Sequence, residues 1–407
     1  MRPRTRIARI DATSDPHRAT AVPIYQTATF AQDSPTEFSQ YDYSRSGNPT
    51  RHAVEHHLCR LEGGVRALAY GSGIAAVAAV TRLLLPGDEL LAHDDVYGGS
   101  WRLFEKVLEP RGIRVRFADL TDAATAAAAI TADTRLVFCE SLSNPLLRAC
   151  DLRLLAQLAH ARGARLCVDA TAVSPYLQQP LQLGADFVVH SATKYLGGHG
   201  DLTAGVVAVR SEATAAELAF LQNAEGTALA PFDSFLLLRG VQTLSLRLDR
   251  QQQNAQRIAE WLTQHRAVSR VLFPGLAGHE TARVHAAQAT GTGAVISFAT
   301  GDENVSRRLV SALRLFRIAV SFGGVQSSVS LPVCMSHRSV PSAVRAARDL
   351  GPDLVRLSIG IEDWRDLIDD LDQALLTATR SGDTARSAEP APRAVATHDG
   401  GRDDTAD

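Results

Sequence analysis

Lys194 stands in Val188-Val189-His190-Ser191-Ala192-Thr193-Lys194-Tyr195-Leu196-Gly197-Gly198-His199-Gly200-Asp201, and it is one of only two lysines among the 42 lysines and arginines of this 407-residue chain. Arginine can replace lysine wherever charge or a salt bridge is wanted, but its guanidinium stays protonated and cannot attack a carbonyl. An amine kept between an apolar strand and a glycine-rich turn therefore points to Schiff-base chemistry. The plain alternative is a surface residue that escaped replacement. The other lysine, Lys106 in Arg102-Leu103-Phe104-Glu105-Lys106-Val107, reads that way, on the solvated face of an amphipathic helix.

Two further motifs can act with Lys194. Ala69-Tyr70-Gly71-Ser72-Gly73-Ile74 reads as a strand, a glycine turn and a helix start, which aims free backbone N–H groups at one point where an anion, most naturally a phosphate, can sit. Alone, such a turn often serves only packing. Asp169 ends the apolar run Arg165-Leu166-Cys167-Val168 just as Lys194 follows the next one; alone it could cap a helix. Together the three match pyridoxal phosphate: aldehyde on Lys194, phosphate at Gly71 to Ile74 with Ser191 and Thr193 in reach, ring nitrogen on Asp169. Tyr97, in Asp94-Asp95-Val96-Tyr97-Gly98-Gly99, offers a ring to stack and a phenol for proton transfer, or simply packs over a turn.

The elements that must hold these residues are legible from Arg66 to Val209. Short apolar runs at 67–70, 89–92, 114–117, 136–139, 165–168, 187–190 and 205–209 alternate with helix-like stretches such as 74–85, 101–108 and 153–162. Such alternation predicts a mostly parallel sheet flanked by helices, with ligands outside the carboxyl ends of its strands. A long helix over 234–264 should lead to a smaller α+β domain with strands at 294–298 and 354–358 and a closing helix near 367–378. The first residues, to about Ala21, read as an extended arm, and those from Ser381 as a disordered tail.

Composition narrows the partners. A net charge of −2 and a pI near 6.7 give no basis for a nucleic acid or an anionic membrane as partner. No apolar run is long enough to span a bilayer, so a cytoplasmic protein is expected. Five cysteines, odd in number and without a C-x-x-C pair, predict reduced thiols and no metal site, with Cys139 and Cys167 as core filler.

The segments Tyr41-Asp42-Tyr43-Ser44-Arg45-Ser46-Gly47-Asn48-Pro49-Thr50, Asp95-Val96-Tyr97-Gly98-Gly99, Ser143-Asn144-Pro145, Leu183-Gly184-Ala185-Asp186 and Ser191-Ala192-Thr193-Lys194-Tyr195 resemble the Cys/Met-metabolism family of pyridoxal-phosphate enzymes, from about Ala21 to Ala378. The resemblance implies a fold-type I aminotransferase-like subunit, with Lys194 as the Schiff-base lysine and Asp169 on the ring nitrogen. It implies Gly73, Ile74, Ser191 and Thr193 at the phosphate, and counts Thr171 and Tyr97 among the cofactor contacts. Tyr43 and Arg45 would reach from an N-terminal arm (1–52) into the neighbouring subunit of a homodimer, itself paired into a tetramer. The cofactor domain would span 53–245, the C-terminal domain 246–380 and the tail 381–407. Arg356 would hold the substrate carboxylate, with Asn144 and Ser321 nearby.

The same resemblance leaves the reaction open between γ-elimination, γ-replacement of an O-acylated homoserine by cysteine, cystathionine cleavage and a catalytically inactive cofactor-binding module. Val320, in Ala319-Val320-Ser321-Phe322-Gly323-Gly324, stands where cystathionine-handling relatives commonly carry a glutamate. Losing that ionic partner from a partly buried site should cost about 1.5–3 kcal/mol. We therefore expect γ-elimination of a smaller substituent, as in methionine or homocysteine, through a β,γ-unsaturated intermediate, with Lys194 moving protons and Tyr97 assisting departure. Gly99 stands where methionine γ-lyases often have cysteine, whereas Ala170 in place of an asparagine and Gln326 in place of a glutamate are either neutral drift or marks of a non-standard substrate in specialised metabolism.

Overall fold

The computed structural model describes residues 1–10, 15–338 and 340–384. Its larger sheet contains β1 (Arg66–Tyr70), β2 (Glu89–His93), β3 (Arg114–Ala118), β4 (Thr134–Glu140), β5 (Arg165–Asp169), β6 (Phe187–Ser191) and β7 (Gly205–Val209), in the order β1-β7-β6-β5-β4-β2-β3. β7 pairs antiparallel with both its neighbours and all other pairings are parallel, so every strand except β7 points the same way. The ends of β1, β2, β4, β5 and β6 thus share one edge with the start of β7.

The strands are apolar on both faces because helices cover both. Ala69, Leu91, Val137, Val168 and Val188 pack into one core, whereas Leu68, Leu90, Phe138, Cys167 and Val189 pack into another, which is the period of two expected of a pleated strand. Cys139 and Cys167 are both fully buried, and all five cysteines are free. Asn48 caps the helix Pro49–Glu62 by accepting from the N–H groups of Thr50 and Arg51, and Gly63 ends it at φ 70°.

A smaller sheet follows, β8 (Arg270–Leu272), β9 (Val295–Ala299), β10 (Arg317–Ile318), β11 (Ser328–Ser330) and β12 (Leu354–Ser358), in the order β10-β11-β12-β9-β8. It is bounded by helices Leu244–Gln264, Glu303–Ala312 and Trp364–Thr384.

Three expectations need correction. The helix expected over 234–264 is two helices, Pro231–Val241 and Leu244–Gln264. At the break Arg247 donates to the Gly240 and Tyr195 carbonyls (2.8 and 2.9 Å), satisfying the end of the first helix and anchoring the chain just after Lys194. The N-terminal arm is not wholly extended: Pro3–Ala8 is a helix whose Ile7 is buried and whose Ile7 carbonyl meets His57 Nε2 at 3.1 Å. The helix expected over 101–108 is Gly98–Leu103 followed by a wider π turn, Phe104–Leu108, on which Lys106 is exposed with Nζ 5.9 Å from the Trp101 ring centre. The tail expected from 381 lies, from 385 onward, outside the described residues, and helix Trp364–Thr384 runs past its predicted start. Among the described residues no helix is long and apolar enough to cross a membrane.

Candidate active site

At the shared edge of the larger sheet lies a cavity of about 750 Å³. Gly73, Ile74, Tyr97, Asn144, Asp169, Thr171, Ser191, Thr193, Lys194, Val320, Ser321 and Arg356, all singled out from the sequence, line it. Tyr43 and Arg45 do not. They sit on the chain's own surface, Tyr43 40% exposed, with the Arg45 guanidinium 5.2 Å from the Tyr43 ring and its Nε bonded to Asn223 Oδ1 at 3.2 Å.

The anion cradle begins where β1 ends. Ser72 caps the helix Gly73–Thr81 through Ala75 N–H, which leaves the N–H groups of Gly73 and Ile74 directed at the cavity side with no acceptor among the described residues. Glycine is required here. A Cβ on Gly73 would stand 2.6 Å from Ser191 Cβ, and one on Gly205 would stand 2.0 Å from the Ser72 carbonyl oxygen. The helix start is therefore packed directly on β6 and β7, beside the hydroxyls of Ser191 and Thr193.

Asp169, the last residue of β5, accepts from the backbone N–H and the hydroxyl of Thr171. Burial raises its pKa, while those bonds, His190 and Lys194 oppose the rise. Glu140 ends β4 in register with Asp169 and also lines the cavity. Burial and the neighbouring Asp169 hold it well above the ordinary carboxylate range.

Lys194 is brought down to a pKa of about 8, first by burial and then by the positive charge of Arg356. Its Nζ donates to Ser321 Oγ at 2.5 Å and lies 5.3 Å from the Phe322 ring centre. Arg356 donates to Asn144 Oδ1 (2.9 Å) and to the Ser321 carbonyl (2.8 Å), its carbon 5.8 Å from the same ring, and its buried Nε has no acceptor. Burial lowers its pKa to about 10, which leaves it charged at neutral pH. Ser321 serves both cations from a left-handed backbone, φ 86°, a conformation costly to a non-glycine residue.

This set fits pyridoxal phosphate: a partly neutral amine for the aldehyde, a buried carboxylate for the ring nitrogen, a glycine cradle with two hydroxyls for the phosphate, and an unsatisfied buried arginine for a carboxylate. Tyr97, 42% exposed, has its ring at the cavity; a Cβ on Gly99 would lie 2.4 Å from that ring, so glycine leaves it room. His93, Asp94 and Asp119 bring ligand atoms within 4.8 Å of one another, yet Arg148 holds Asp119 at 2.7 Å and His93 Nδ1 already accepts from Leu120 N–H.

Sequence reasoning missed several lining residues. Glu140 lies one position beyond the strand end read at Cys139, and its sheet-edge placement was a usable signal. Arg102 and Arg338 carried no motif; both are exposed and line the rim. Ala170 is fully buried in the core and Gln326 is exposed, and neither lines the cavity, so neither touches the space a substrate would fill.

A family model described as Cys/Met metabolism PLP-dependent enzyme matches residues 4–376. A chloroplastic cystathionine beta-lyase of Mimosa pudica is 50% identical over 361 residues, 89% of this chain and 79% of the relative. A cystathionine beta-lyase of Lactococcus lactis subsp. cremoris is 46% identical over 88% of this chain and 94% of its own. Among solved structures, cystathionine gamma synthase from Xanthomonas oryzae pv. oryzae in complex with cystathionine superposes with a TM-score of 0.91 at 41% identity, covering 94% of this chain and 99% of that one. Cystathionine gamma-lyase from Lactobacillus plantarum complexed with L-serine gives 0.90 at 38% identity, covering 93% and 100%.

Proposed function

The chain belongs to the Cys/Met-metabolism PLP-dependent enzymes, of cystathionine lyase or synthase type, and from that premise we propose that it is a cystathionine lyase breaking the carbon–sulfur bond β to the amino-acid centre. The observation that carries the choice of substrate is the rim. Arg102 and Arg338 line the cavity where it meets solvent, and neither guanidinium has a hydrogen bond or ion pair to the chain among the described residues. Of the acids lining the cavity, Glu140 is buried and Asp169 half-buried, both at strand ends rather than at the rim. Buried Arg356 suits the carboxylate at the reacting end, and the rim suits a second carboxylate, which cystathionine has and methionine and homocysteine lack.

γ-Elimination of methionine or homocysteine remains the second reading, and Val320 was its chief support. Val320 is 60% exposed. An ion pair at so open a position contributes about 0–1 kcal/mol, so water can serve a remote ammonium there and a valine does not select against cystathionine. The β position of the cleaved bond rests on the beta-lyase names of the relatives.

Bound pyridoxal phosphate supplies the aldehyde and an electron-withdrawing ring. In the proposal Lys194 Nζ would hold the aldehyde and would be the base for the substrate's α proton; Asp169 would hold the ring nitrogen, with Thr171 steadying the carboxylate. Gly73, Ile74, Ser191 and Thr193 would hold the phosphate, and Tyr97 would lie against the ring. Tyr43 and Arg45, outside their own cavity, would complete that of a second copy in a homodimer, paired into a tetramer in the cytoplasm. Mixing a Lys194→Ala chain with an Arg45→Ala chain should then restore activity that neither has alone.

The deciding experiment supplies the holoenzyme with L-cystathionine, L-methionine, L-homocysteine and an O-acylated homoserine with cysteine. Pyruvate and homocysteine from cystathionine are expected. 2-Oxobutanoate and cysteine would move the cut to the γ bond, and turnover of methionine without cystathionine would restore the second reading.

A further inference from the structure

Glu140 is the buried cavity acid to which the roles above give no task. It has no cation in contact, and its Oε1 accepts from the backbone N–H of Tyr97 at 2.6 Å. Tyr97 follows β2 and Glu140 ends β4 just before Asn144, so this bond ties the loop that carries the ring-covering tyrosine to the strand end from which the Arg356-bound side chain departs. A second tie runs the other way: Ser143 donates its hydroxyl to buried Asp95. The two loops are thus cross-laced, with Glu140 the tie that faces the cavity.

We propose that Glu140 is a positioning residue that, by accepting the Tyr97 backbone hydrogen bond and together with the Ser143–Asp95 tie, holds Tyr97 and the Asn144 loop beside the Arg356 guanidinium in one alignment, and that its negative charge is not needed for this. The arrangement favours a neutral side chain. Asp169, whose charge His190 and Lys194 support, lies at the paired register position, and buried Glu140 beside it, with no ion pair among the described residues, resists ionising. A neutral acid still accepts through its carbonyl oxygen, so glutamine of the same length can do the same work.

The inference rests on the proposed function only in taking Tyr97, Asn144 and Arg356 as site residues. Its test compares Glu140→Gln, Glu140→Ala and Glu140→Met in the holoenzyme, reading KM and kcat for cystathionine, the visible circular dichroism of the bound cofactor and the melting temperature. Glu140→Gln should stay within about threefold in both constants with an unchanged dichroic band. Glu140→Ala and Glu140→Met should lose at least about tenfold in kcat/KM, mainly through KM, and show an altered band. A folded Glu140→Gln as damaged as Glu140→Ala would overturn the proposal by showing that the charge matters. Folded alanine and methionine variants that match the parent in band and KM would overturn it by showing that the ties do not. Should Glu140→Ala fail to fold, the glutamine and methionine variants decide it. Should the parent not cleave cystathionine, the dichroic bands still decide it while the proposed function falls alone.

Discussion

The floor of the cavity and its rim are held by different kinds of structure. On the floor, Asp169, Glu140 and Ser191 are the last residues of parallel strands and are fixed by ladder neighbours, and Lys194 is three residues past one of them. At the rim, Val320, Met335, Ser336 and Arg338 come from loops around the smaller sheet, and Arg102 from the exposed side of a helix. Charge follows the same division: the floor sets buried Glu140 and half-buried Asp169 against half-buried Lys194 and buried Arg356, whereas the rim offers exposed arginines without partners among the described residues. The chemistry is thus built into the sheet, and the choice of substrate is left to segments that can change without disturbing it.

That division predicts a ladder of effects. Lys194→Arg removes the only amine on the floor and should lower turnover by at least about a thousandfold; a smaller loss would mean the reactive amine is elsewhere. Arg356→Leu removes a buried charge from its partners and should cost about 2–5 kcal/mol, seen chiefly as a raised KM. The same change should move Lys194 upward from its pKa of about 8, because a like charge is lost. On the cofactor-free chain, reaction of Lys194 with an amine reagent, followed by peptide mapping, should rise about tenfold per pH unit below that value and level off above it, since only the unprotonated amine reacts. In Arg356→Leu the break in that curve should lie at higher pH.

Arg338→Ser should raise KM for cystathionine by up to about fivefold, the worth of about 1 kcal/mol at an exposed site, and leave kcat unchanged. A loss as large as that of Arg356→Leu would break the contrast between floor and rim. The smallest effect is expected of Phe322→Leu. Its ring faces both Lys194 and Arg356, and removing an attraction of about 0.5–1 kcal/mol for the ammonium should lower the Lys194 midpoint, the opposite direction from Arg356→Leu.

Asp169, Ser191 and Lys194 were readable in the sequence because each ends or follows an apolar run of strand length, so the sheet topology gathers them; Glu140, one position past the run read to Cys139, was passed over, and Arg356 entered only through the family resemblance. Cross-domain contacts were not readable in the same way. Lys194 meets Ser321 across 127 positions and Arg356 meets Asn144 across 212, and only the family resemblance pointed to the second pair. Val320 shows a further limit: its residue type was legible but its exposure was not, and exposure decides what an absent ion pair costs. The break at Gln242 and Thr243 was hidden because its cause, the reach of Arg247 to the Tyr195 carbonyl, depends on tertiary packing.

Gly73 and Gly205 have a consequence for how such a protein can diverge. Each sits so close to the opposing segment that one added methyl group would force two elements apart. Single substitutions at this junction meet a steep loss of folding, whereas the rim tolerates them. New specificities should therefore be reached by stepwise change at the rim around an inherited anchor, and libraries made to alter the reaction repay effort spent on residues 335 to 338 far more than on the cradle.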